Sequence, residues 1–160
     1  MKTVTTWLLM LTAALLVVSS PASQANDGHR PLRQLAQSFG FYMGAAAEPH
    51  LLTQDPQYGP ILASEYNALT PENALKFGLL SPARGVYDFQ PADALVAFAG
   101  LNGMRVRGHT LVWHEQLPAW FVQGRFSRDE LLALLENHIK TVVGRYRGRI
   151  AAWDVVNEAL

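Results

Sequence analysis

Residues 127–158 read SRDELLALLENHIKTVVGRYRGRIAAWDVVNE, and two periodicities meet in this one stretch. Ser127 and Glu130 have the S-x-x-E spacing of a capping box, in which each side chain satisfies a backbone N–H of the first helical turn. Leu131, Leu135, His138, Val142 and Tyr146 then recur near helical spacing, with Leu134 and Ile139 alongside. Arg145 and Arg147 place cations at the negative end of the helix dipole, and Gly148 supplies a stop. From Ile150 to Asn157 the chain is apolar apart from Asp154 and ends in a polar Asn157-Glu158. A strand apolar on both faces is the pattern of a parallel strand covered on both sides.

Working back toward the N-terminus, the same alternation repeats. Phe39 to Ala47, Tyr66 to Leu69 and Met104 to His109 are further strand candidates. Asp55-Pro56 opens a helical stretch reaching Glu65, and Asp93 to Ala99 is a second helix, followed by an Asn102-Gly103 turn. The segment from Thr70 to Pro91 is punctuated by Pro and Gly and is expected to form a long loop outside the core. Strands alternating with helices predict an α/β fold with a parallel sheet, either an open doubly wound sheet or about half of a (β/α)8 barrel. No glycine-rich nucleotide loop supports the doubly wound alternative. Four strands in this length extrapolate to the size of an eight-stranded barrel.

The chain has 160 residues, 13 basic and 13 acidic, and 49% of it is hydrophobic. That is enough for one domain, and its neutral balance argues against a nucleic-acid partner. The absence of cysteine excludes disulfides, thiolate metal sites and a cysteine nucleophile. At the N-terminus, Lys2 precedes an apolar run from Leu8 to Val18, and Ser23 and Ala25 stand at the −3 and −1 positions of a cleavage site. Residues 1–25 therefore read as a signal peptide, leaving 26–160 as an exported mature chain. The run falls short of the ~20 apolar residues that span a bilayer, so no membrane association is expected after cleavage.

Several side chains stand where strands end, the place at which βα proteins carry their chemistry. Glu158 is open to two readings, a partly desolvated proton donor or a solvated glutamate at a helix start. His109 and Trp113 suit a sugar, whose hydroxyl bonds imidazole and whose ring stacks on indole, but Trp113 and Trp120 also suit a core. The spacing of five between His109 and His114 is poor for a metal, and none is expected. Glu72, Asn73 and Lys76 offer converging donors and acceptors, or simply an i,i+4 ion pair between Glu72 and Lys76 on one helical turn.

Three segments taken together, NALTPENALKF (67–77), RGHTLVWHEQLPAW (107–120) and WDVVNEA (153–159), resemble glycoside hydrolase family 10, the retaining endo-β-1,4-xylanases. The resemblance runs from about Phe39 onward, and the motifs share the family's order and separation. It implies a (β/α)8 TIM barrel of which this chain covers the first four βα units. It also implies secretion, xylan and xylooligosaccharides as partners, no cofactor and a monomeric full-length enzyme. Glu158 matches the family's general acid/base, and Asn157 beside it the ligand of the sugar 2-hydroxyl. His109 and Trp113 match residues lining the same subsite. Glu72, Asn73, Lys76 and Gln116 match residues that hold the sugar units on the non-reducing side. Glu115 departs from the family, which often has a small or amide residue there.

A retaining glycosidase needs a second carboxylate, the nucleophile. Among Asp88, Asp93, Glu115, Asp154 and Glu72, none matches the family's nucleophile motif. The expectation is therefore an N-terminal half of a larger enzyme, inactive alone. The alternatives are a catalytically silent half-barrel that binds xylooligosaccharides, or one that self-associates through its unpaired first and fourth strands.

Overall fold

The structure, a computed structural model, describes residues 29–159. The expected signal peptide lies outside the described residues. In chain order the helices are α1 (Leu32–Ser38), α2 (Leu51–Gln54), α3 (Tyr58–Glu65), α4 (Phe77–Leu80), α5 (Gln90–Leu101), α6 (Ala119–Val122) and α7 (Arg128–Arg145). The strands are β1 (Gly44–Ala47), β2 (Ala68–Pro71), β3 (Arg105–Gly108), β4 (Val112–Trp113), β5 (Ala152–Trp153) and β6 (Val156–Asn157).

β1, β2, β3 and β5 form one parallel sheet in that order, with Gly44 opposite Ala68, Leu69 opposite Val106 and Gly108 opposite Trp153. β4 and β6 are parallel continuations of β3 and β5 past a short break, with Trp113 opposite Asn157. The order follows the chain without reversal. A doubly wound sheet reverses at its switch point, so the sequential order selects the barrel-type alternative.

The two faces of the sheet differ sharply. On one, Ala47, Leu69 and Val106 are buried with Leu62, Leu95, Val96 and Ala99 from the crossover helices and Val142 from α7. Each fully buried Leu contributes roughly 2–3 kcal/mol by removal from water. On the other face, Gly44, Ala46, Ala68, Thr70, Arg105, Arg107 and Ala152 line an open hollow of about 670 Å³. Helices on one side and a concave hollow on the other make a segment of a (β/α)8 barrel wall.

α7 starts with the expected capping box: the Glu130 backbone N–H donates to Ser127 Oγ, and the Ser127 N–H donates to the Glu130 carboxylate at 2.8 Å. At its far end Tyr146 Oη donates to Asp93 of α5 at 3.0 Å, and Arg145 pairs with the same carboxylate. Two helices are thereby tied outside the sheet.

Four expectations need correction. Phe39 is 77% exposed, and the first strand begins only at Gly44, because α1 ends at Ser38 and Gly40 adopts a left-handed φ of 74°. The segment from Thr70 to Pro91 is partly core: Leu75, Phe77 and Leu80 are buried, with Phe77 and Leu80 on α4. These apolar residues turn under the sheet end together with the buried Lys76 and Ser81, while Glu72 stays exposed. The last strand is broken at Asp154, which leaves the ladder to meet charged partners. It is also not covered on both sides, since Val155 and Val156 are 52% and 55% exposed along an edge that no described residue pairs.

Candidate active site

The C-terminal ends of the strands converge around Trp113, the last residue of β4. Its indole Nε1–H donates to Glu158 Oε2 at 2.9 Å. The Lys76 ammonium lies over the same ring, 4.7 Å from its centroid. One aromatic side chain therefore stands between a cation and a carboxylate, using its face for one and its edge for the other. Glu158 itself has φ 52°, the left-handed region that a residue with a Cβ enters at a cost of about 1–2 kcal/mol. The backbone turns sharply there, straight after β6. Such outliers cluster where a side chain must be aimed.

Asp154, at the break between β5 and β6, holds the neighbouring strand end. Its Oδ1 accepts from Arg107 Nη2 at 2.8 Å and Nε at 3.1 Å, and its Oδ2 accepts from His109 Nδ1 at 2.8 Å. A carboxylate only accepts, so His109 Nδ1 carries a proton, and Nε2 is the ring nitrogen left for another partner. Burial alone would raise the Asp154 pKa, but the Arg107 guanidinium and the His109 imidazole outweigh it and hold the carboxyl below the usual range. The Thr110 hydroxyl and the Leu111 N–H both bond the Asp154 carbonyl, at 2.8 and 3.0 Å. The His109–Thr110 peptide is cis.

The loop after β2 supplies the third group. Lys76 is buried and extended (φ −74°, ψ 140°), and its Nζ donates to Asn73 Oδ1 at 3.2 Å. Asn73 Nδ2 donates in turn to Glu48 Oε1, just beyond β1. The helical ion pair weighed for Glu72 and Lys76 does not form: among the described residues no ion pair joins them, because the chain from Glu72 to Lys76 is a turn and not a helix. Glu72 is exposed on the hollow's rim, beside Lys76 and His109.

Five of the anticipated residues line one or the other of two hollows. Glu72, Lys76 and His109 line the 670 Å³ one, while Asn157 and Glu158 line a second of about 440 Å³ with Val112 and His114. Trp113 joins them through its contacts to Lys76 and Glu158. Gln116 stands apart in a 3₁₀ turn, its backbone packed on Gly78 so closely that a Cβ there would lie 3.0 Å from the Gln116 carbonyl oxygen. Glu115 is exposed and pairs with His114 at 3.3 Å. The partial desolvation expected for Glu158 is not supplied by its neighbours, since Val156, Ala159 and Glu158 itself are exposed. Trp120 takes the core role, with its Nε1–H on the Ser81 carbonyl and its ring edge-on to Phe77.

Sequence reasoning passed over Arg107, Glu48 and the binding role of Asp154. The signal for Asp154 was present as a lone charge inside an otherwise apolar strand. Arg107 and Glu48 carried none, because their partners lie 47 and 25 residues away.

Comparisons with known proteins agree with this fold. The sequence profile of glycosyl hydrolase family 10 matches residues 31–160. The endo-1,4-beta-xylanase B of Thermotoga neapolitana is 43% identical over 152 residues, 94% of this chain and 44% of that protein. A beta-1,4-xylanase of Dictyoglomus thermophilum is 53% identical over 120 residues, 75% of this chain and 33% of the relative. The crystal structure of xylanase 10B from Thermotoga petrophila RKU-1 in complex with xylobiose superposes with a TM-score of 0.78 at 45% identity, covering 81% of this chain and 40% of that one. The chain thus spans less than half the length of these relatives. Matched by the family profile from Pro31 onward and built as the matching part of a barrel wall, the chain belongs to glycosyl hydrolase family 10.

Proposed function

We propose that residues 29–159 form part of a secreted endo-1,4-β-xylanase that cleaves internal bonds of xylan with retention, Glu158 being its general acid/base. The observation that carries this reading is the Trp113–Glu158 hydrogen bond at the strand ends, with Lys76 over the same indole. The indole occupies Oε2, so Oε1 is the oxygen left to carry a proton to the glycosidic oxygen and later to take one from water. His109 Nε2, oriented by Asp154, suits a sugar hydroxyl, and Asn157 pairs with Trp113 across the two strands. Glu72 and Lys76 extend the polar lining toward further sugar units, with Asn73 bonded to Lys76 behind them.

Retention needs a nucleophilic carboxylate about 5–5.5 Å from the acid/base. Near the site, Glu48 is engaged by Asn73, Asp154 by Arg107 and His109, and Glu115 by His114. Glu72, exposed on the rim, matches a sugar-holding position of the family, and none of these carboxylates matches its nucleophile motif, so we assign the nucleophile to none of residues 29–159. The leader-like composition of residues 1–25 supports export.

The test is reducing-end release from xylan by the protein as its source organism makes it, with and without Glu158→Gln. Loss of a positioned acid/base should lower turnover by about 10²–10⁴-fold. Unchanged turnover in the variant would remove Glu158 from the role. Heat of xylotriose binding without turnover would identify a silent binding protein instead.

A further inference from the structure

His138 is a fully buried imidazole on α7 that the proposed chemistry does not use. Its ring stacks on Phe77 of α4, with centroids 3.7 Å apart and planes inclined by 24°. Nε2 lies 3.1 Å from the Leu111 carbonyl oxygen, and Nδ1 lies 3.3 Å from Tyr87 Oη. A carbonyl only accepts, so Nε2 carries the proton, Nδ1 accepts, and the Tyr87 hydroxyl donates to it. Both ring nitrogens are satisfied in a single neutral tautomer.

Leu111 is the last residue of the segment joining β3 to β4, with His109 two residues before it and Trp113 two residues after. On one side the segment is tied to the neighbouring strand: Thr110 Oγ1 and Leu111 N donate to the Asp154 carbonyl, and Val112 N donates to the Val155 carbonyl at 3.1 Å. On the other side, the Leu111 carbonyl points away from that strand into the helical layer, where His138 meets it. A buried carbonyl left without a donor is costly, and the chain would shift to find one. Such a shift would carry Trp113, and with it the grip on Glu158.

We propose that His138 is a positioning residue for the active site, fixing the segment that presents His109 and Trp113 through its Nε2–H bond to the Leu111 carbonyl. The inference rests on the reading of Trp113 and Glu158 as parts of one site. It adds to that reading a group on the far side of the sheet, out of reach of any substrate. The Phe77 stack holds the ring at the angle this bond requires.

The experiment reads the indole N–H resonances of the full chain by NMR. Trp113 is assigned through its loss in Trp113→Phe, and Trp153 serves as the internal control. In His138→Leu the Trp113 indole resonance should move toward the position of a water-bonded indole, while Trp153 stays in place. In His138→Gln, whose amide can place an N–H near the position of Nε2, the Trp113 resonance should return. Tyr87→Phe, which leaves the Leu111 bond intact, should not move it.

An unmoved Trp113 signal in folded His138→Leu would overturn the proposal. So would equal movement of Trp113 and Trp153, which would make His138 a general packing residue of α7. If His138→Leu does not fold, the comparison passes to His138→Gln and His138→Asn, whose amide nitrogen falls nearer Nδ1. Only the Gln variant should preserve the Trp113 resonance, and identical behaviour of the pair would reject the idea. No substrate enters the measurement, so a failure of the xylanase reading and a failure of this one are distinguishable.

Discussion

Trp113 and Asp154 divide the work at the site between an aromatic ring and a carboxylate. Trp113 fixes Glu158 through its N–H while Lys76 covers its face, so neither charge is oriented by water alone. Asp154 gives one oxygen to Arg107 and the other to His109, an arrangement that only two acceptors can satisfy. An amide offers one acceptor and one donor. Asp154→Asn must therefore turn an N–H toward either the guanidinium or the imidazole. Allowing for the screening of a partly exposed cluster, we expect a loss of about 1 kcal/mol in chemical denaturation of the full chain. An unchanged unfolding midpoint would show that the pair of bonds contributes nothing net.

At the scale of elements, α7 does more than cover the sheet. Its buried His138 is held neutral by desolvation, which pushes the pKa from the ordinary imidazole range down to about 4. Between about pH 6.5 and 4 the unfolded chain binds a proton at this position and the folded chain does not. Stability should thus fall with acidification across that window, by on the order of 3 kcal/mol if the full shift is realised. The carboxylates of Asp93 and Asp154, whose pKa values are lowered by their partners, act further down: they stabilise the fold above the ordinary carboxylate range and release that contribution below it. Thermal midpoints of the full chain from pH 7 to pH 4 check the first effect. A midpoint that is flat over this range, or equally steep in His138→Gln, would contradict it.

The elements also show where sequence reading succeeds. The capping box, the helical stripe and the α/β alternation were legible because each is local: the interacting groups lie within four residues or one strand length. The burial of Leu75, Phe77 and Leu80 was not, because Pro and Gly punctuation signals a turn but says nothing about what packs beneath it. His138 entered the reading only as a member of the stripe. Its bond to Leu111 spans 27 residues and depends on the bend between β3 and β4. Glu158, Asn157, Lys76 and Trp113 were identified by motif, whereas the Trp113–Glu158 and Lys76–Trp113 contacts needed the fold to bring them together.

For the whole molecule, one face of a four-stranded parallel sheet is packed and the other opens on one of the two hollows that the site residues line. The sequential strand order explains why residues from β2, β3 and β5 and their extensions share one end of the sheet: parallel strands all deliver their C-terminal ends to the same side. We propose that Glu158, at this end of the sheet, is an acid/base and not a nucleophile. The direct measurement takes the protein as its source organism makes it, carrying Glu158→Ala, with an aryl β-xylobioside and added azide. An activated aryl group leaves without protonation, so the covalent intermediate should accumulate for want of a general base. Azide needs no base and should attack the intermediate, accelerating aryl release and yielding the β-glycosyl azide. An α-glycosyl azide, or no response to azide at all, would contradict the account.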